Sequence, residues 1–110
     1  MISEQRKHAV VDIASSGDNT IIDAPTGTSE YIAIDCLYIV PAAADGIIFK
    51  TGSTALTGLV SLPISQPLSI CNPEQDPDGV LRCGVNEAFI INCSTSDQVS
   101  GYIKYRIVNR

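Results

Sequence analysis

The 110-residue, 11.7 kDa chain is 45% hydrophobic and 17% charged, which suits one compact domain and leaves no room for a second. Seven Lys and Arg against twelve Asp and Glu give a net charge of −5. That balance excludes the clustered basic surface required by a duplex-binding protein or by one held on anionic lipid. No apolar run approaches the ~20 residues of a spanning helix, and the opening MISEQRKHAVVDIA lacks the apolar stretch of a secretory signal.

The first residues are polar and charged. Residues 1–8 read as an N-terminal arm that orders only against a partner, followed by a single domain over 9–110. From there strand signals follow one another, at His8–Ala14, Thr20–Asp23, Tyr31–Val40, Ile47–Lys50 and Ala55–Val60, then at Gln66–Cys71, Val80–Cys83, Glu87–Cys93 and Gly101–Val108. Tyr31–Val40 is apolar on both faces and reads as a long central strand, with Ile32, Ile34, Cys36, Tyr38 and Val40 on one side and Tyr31, Ala33, Asp35, Leu37 and Ile39 on the other. In Gly101–Val108 the alternation is clean. Ile103, Tyr105 and Ile107 fall on one face, and Tyr102, Lys104 and Arg106 on a solvated one.

Turn chemistry separates these runs. Ser16-Gly17-Asp18-Asn19, Asp45-Gly46, Thr51-Gly52-Ser53 and Asp78-Gly79 supply positive φ or Asx turns, and prolines stop pairing at strand ends. Helical spacing is nowhere sustained beyond a possible single turn at Ala42-Ala43-Ala44. About eight strands in this length predict an all-β fold, a small antiparallel β-sandwich or jelly roll. Residues 72–79, polar and stiffened by two prolines, read as a loop projecting from one end.

Catalytic and metal constellations fall short. Lys50-Thr51-Gly52 copies one triplet of the serine penicillin-binding enzymes, yet the Ser-x-x-Lys nucleophile is missing, so a strand running into a glycine turn explains it. His8 is the sole histidine and sits in the expected arm, with nothing to orient it as a base. Cys36, Cys71, Cys83 and Cys93 are too far apart for the close pairs of a zinc site, and read as free structural thiols rather than disulfides. Asp76-x-Asp78-Gly79 opens like a calcium loop but lacks the rest of the ligand series, so a solvated turn is the better reading. The expectation is a non-enzymatic protein without metal or cofactor.

Surface then has to carry the function. Arg6, Lys7, Lys104, Arg106 and Arg110 place five of the seven basic residues at the termini, where a sandwich can bring them to one end. Apolar loop residues Leu62, Ile64 and Leu68 are further candidates for a partner contact.

The order Ser15-Ser16-Gly17-Asp18-Asn19-Thr20, Phe49–Gly58 (FKTGSTALTG), Glu87–Asn92 (EAFIIN) and Val99–Tyr105 (VSGYIKY) resembles the small β-sandwich virion proteins of tailed bacteriophages, and among them the head decoration, or staple, proteins. The resemblance covers residues 15–106. It implies a jelly roll on the outer surface of an icosahedral capsid, made in the bacterial cytoplasm, that bridges neighbouring copies of the major capsid protein. It also implies a homodimer on a twofold axis. The partner-binding residues expected on this basis are Ile2, Arg6, Lys7, Leu62, Ile64, Leu68, Arg106 and Arg110, with neither nucleic acid nor membrane as a partner. A tail or host-attachment module that binds surface polysaccharide is the alternative.

Overall fold

A computed structural model of the chain describes residues 3–71 and 78–109, with side chains from Arg6 onward. Among the described residues, ten strands form two antiparallel five-stranded sheets. The first sheet holds β1 (Ser3–Ile13), β10 (Val99–Asn109), β3 (Glu30–Pro41), β7 (Leu68–Cys71) and β8 (Leu81–Arg82). The second holds β2 (Gly17–Ile22), β9 (Phe89–Cys93), β4 (Asp45–Thr51), β5 (Thr54–Ala55) and β6 (Val60–Leu62).

The count exceeds the expected eight because two lanes are each filled by a pair of short strands. β5 and β6 both pair with β4, and β7 and β8 both pair with β3. Lane by lane the sheets read β1, β10, β3, β7/β8 and β2, β9, β4, β5/β6, with the chain crossing between sheets at nearly every connection. That order is a jelly roll. The expected strand at Ala55–Val60 is the place where the lane breaks, around Gly58.

The core lies between the sheets and is almost entirely aliphatic, with one aromatic pair at its centre. Phe49 and Phe89 are 1% and 0% exposed and stack at 6.0 Å between ring centroids. From the first sheet Val11, Ile13, Ile32, Ile34, Leu37, Ile39, Val99 and Ile103 face Ile47, Ile91 and Cys93 of the second.

Strict period-two reading of β3 fails at one point. Across the β10 ladder Lys104 faces Cys36 and Tyr105 faces Ile34, so Asp35 is an extra residue in a bulge. The bulge shifts the phase of the strand, and Ile32, Ile34, Leu37 and Ile39 all reach the core. An apolar run on both faces gives no pattern from which that shift can be read.

The described part of the expected arm is strand instead. Ser3–His8 is the first half of β1, paired with β10 from Ser3 opposite Asn109 to His8 opposite Lys104. Polar side chains at these positions reflect an exposed edge strand, whose backbone pairs on one side whatever its side chains. His8 is therefore fixed in a ladder, not held in a tail.

The cysteines also differ from expectation. Cys36 and Cys71 stand directly opposite on β3 and β7 and form a disulfide, while Cys83 and Cys93 are free and buried. Pairing is a matter of which strands become neighbours, and spacing in the chain does not report it. With a sequence separation of 35 between the two cysteines, loop entropy gives this bond roughly 3–4 kcal/mol of stabilisation.

Burial pushes the Cys83 and Cys93 thiols up from near 9 to about 11, with Glu87 adding to the effect at Cys83 and Asp45 at Cys93. The folded protein keeps protons there that the unfolded chain releases. Stability from these groups is complete below pH 9 and falls between pH 9 and pH 11. A thiol titration at pH 8 is expected to find almost no rapid reaction in the native protein, two thiols after unfolding, and four after unfolding with reductant. Four thiols without reductant would rule out the Cys36–Cys71 bond.

Candidate interaction surface

The outer face of the first sheet divides into two halves. In one, Arg106 is buried at 6% exposure and makes two bonds to Asp35, Nε to Oδ2 at 2.7 Å and Nη2 to Oδ1 at 2.9 Å. Tyr31, Ala33 and Val108 form a small buried cluster beside it. The Arg82 guanidinium lies 4.0 Å from the Tyr31 ring centroid, and the Tyr31 hydroxyl donates to Asp78 Oδ1 at 2.9 Å. Residues 78–82 thus close this half.

The other half is open. Tyr102 of β10 stands directly opposite Tyr38 of β3, with ring centroids 5.6 Å apart. On the far side of Tyr102 lies the His8 ring of β1, at 5.9 Å. Val10, opposite Tyr102 in the β1 ladder, is 67% exposed. Tyr38 and Tyr102 retain 37% and 39% of their surface, while Phe49, Phe89 and Tyr31 are buried.

The ladder contributes up to about 1 kcal/mol to its own sheet through cross-strand contact. It still leaves a contiguous apolar and aromatic patch spanning three strands, and such patches mark contact sites. Close approach of β10 to β3 beneath it depends on Gly101, at φ +155°, because a side chain there would run into the Tyr38 carbonyl.

The exterior of the second sheet has a different character. Lys50 Nζ reaches Asp18 Oδ2 at 2.9 Å, and the Asn92 amide donates to Asp18 Oδ1 at 2.7 Å. Those contacts, Asn92 first and Lys50 next, hold the Asp18 carboxyl below its ordinary value. Lys50 and Thr51 end β4 just before Gly52 at φ +55°, the glycine turn expected of that triplet.

Between the sheets, beside the open edge of β1, lies a cleft of about 630 Å³ lined by Lys7, Tyr105, Ile107 and Glu30 of the first sheet and by Ile21, Ile22 and Asp23 at the end of β2. Burial, with Asp23 nearby, raises the Tyr105 hydroxyl. Among the described residues no three His, Cys, Asp or Glu side chains gather as a metal-binding group.

Three of the expected partner residues are exposed. Arg6 and Lys7 are exposed on β1, and Ile64 is 60% exposed in the loop after β6. Three others are not exposed. Leu62 is a core residue at 7% exposure, and Leu68 is half-buried against the core because it faces inward from β7. Arg106 is held by Asp35, so the terminal basic cluster loses one of its members. Ile2 and Arg110, like Asp76 of the calcium-like loop, lie outside the described residues. Sequence reasoning missed Val10, Tyr38 and His8. Tyr102 was placed on a solvated face, but only the β1–β10–β3 neighbourhood shows that four scattered residues meet.

The fold is a jelly roll whose second sheet has a polar exterior and whose first sheet carries an exposed aromatic patch on half of its outer face. In comparisons with known proteins, no family model and no curated sequence matches the chain.

Proposed function

We propose that this is a non-enzymatic virion structural protein that decorates the outer capsid surface of a tailed bacteriophage and staples neighbouring major capsid subunits. The observation that carries this reading is the exposed Val10–Tyr102–Tyr38–His8 patch on a rigid jelly roll. Tyrosine-rich apolar patches of this kind suit protein contacts better than small-molecule chemistry. The sequence resemblance over residues 15–106 supports the same reading.

Mechanically, a clamp that binds the expanded lattice and not its precursor stabilises the expanded state by linkage. Many copies, each touching more than one subunit, add their weak contacts through effective concentration. Mixing purified protein with expanded, undecorated capsids of the phage that encodes it is expected to give saturable co-sedimentation. Absence of any pelleted protein would overturn the proposal.

The exposed tyrosine ladder also favours a second reading, a host-attachment module whose rings stack on polysaccharide. With no Trp and two of the four Tyr in the ladder, a change in tyrosine fluorescence that is lost in Tyr38→Phe/Tyr102→Phe reports on the ladder. A saturable change on titration with host surface polysaccharide would favour attachment over stapling.

A further inference from the structure

We infer that β1 pairs with β1 of a second copy, antiparallel and centred on Ala9, so that the first sheet runs unbroken through a twofold axis. The inference concerns the free protein and does not rest on the capsid reading.

The edges of the two sheets are unequal. β2 carries a register shift, β5 to β8 are two to four residues long, and β1 runs for 11 residues without proline, glycine or bulge. Its only partner among the described strands is β10. A long regular edge with free backbone donors and acceptors is a template for another strand, and for a second copy the junction is self-complementary.

Side chains select the register. Val11 and Ile13 point into the core, so Arg6, His8, Val10 and Asp12 share the outer face. A twofold axis perpendicular to the sheet opposes residues of the same face. Centred on Ala9, the junction covers Gln5–Ile13 of each copy, sets Arg6 against Asp12 of the second copy twice over, and sets His8 against Val10. Centring on Lys7 apposes two lysines. Centring on His8 sets Arg6 against Val10 and gives it no opposite charge. Centring on Val10 shortens the overlap to Lys7–Ile13 and puts Arg6 beyond the end of the strand. Arg6, Val10 and Asp12 are all exposed in the single chain and available to pair. The Gln98 amide donates to Asp12 Oδ1 at 2.6 Å and orients the carboxylate.

This register also joins the two patches. Each ladder of Tyr38, Tyr102 and His8 ends against Val10 of the other copy, so the most exposed apolar residue of the sheet is covered and the adhesive surface doubles in width.

Sedimentation equilibrium should give twice the 11.7 kDa chain mass. Arg6→Asp is expected to weaken dimerisation at least tenfold by placing like charges across the junction twice, and Arg6→Asp with Asp12→Arg to restore it. The charge-exchanged pair lies on an exposed face, and circular dichroism of each variant confirms the fold. Oxidation of the double variant His8→Cys with Val10→Cys is expected to give covalent dimers, whereas Val10→Cys alone is not. A wild-type monomer at ~100 μM, failure of the charge exchange to restore pairing, or crosslinking of Val10→Cys alone would each overturn the proposal.

Discussion

Phe89→Ala is expected to lower the unfolding free energy by about 4 kcal/mol, with a fall in Tm of roughly 15–20 °C. Phe89 is fully buried and stacks on Phe49, with the side chains of both sheets packed around the pair. Truncation removes the transfer energy of the ring and leaves a cavity that two hydrogen-bonded sheets cannot close. A domain of this size has about 5–15 kcal/mol in total, so the variant sits near the edge of folding. Phe89→Leu, which keeps most of the volume, is expected to cost under about 2 kcal/mol. Urea unfolding followed by circular dichroism measures both, and equal losses would show that the pair is not the centre of the core.

The second large effect is at the outer-face ion pair. Arg106→Ala is expected to cost about 2–4 kcal/mol, less than a fully buried pair, because the Asp35 side chain is 27% exposed and water solvates part of the orphaned charge. Replacing both partners, as in Arg106→Met with Asp35→Leu, should recover most of the loss, since burying two charges is itself costly. A double variant as unstable as Arg106→Ala would mean that the pair stabilises the sheet outright. Measured in high salt, the effect should persist, because bonds of 2.7 and 2.9 Å around a 6%-exposed guanidinium are poorly screened.

The fold class was legible because alternation and turn chemistry are local. Gly17, Gly52 and Gly79 all adopt positive φ at expected turns, and Ile103, Tyr105 and Ile107 share a face as the alternation requires. What was hidden is everything that depends on neighbours. The phase of β3 was unreadable because both its faces are apolar, and the residue in the bulge, Asp35, is the one that bonds Arg106. Leu62 resembled an exposed loop residue because Pro63 and Pro67 follow it, yet its strand turns it inward. The interaction patch draws on residues 8, 10, 38 and 102, which only the first sheet's strand order brings together.

On the proposed reading, the open aromatic face makes the capsid contact. The most direct measurement is pelleting of wild type and of Tyr38→Ser/Tyr102→Ser, which leaves the β1 edge untouched, with expanded capsids, alongside melting curves of both proteins. Wild type is expected to pellet to saturation, and the variant to stay in the supernatant with its melting curve shifted by no more than a few degrees. Equal pelleting of the two proteins would contradict the claim.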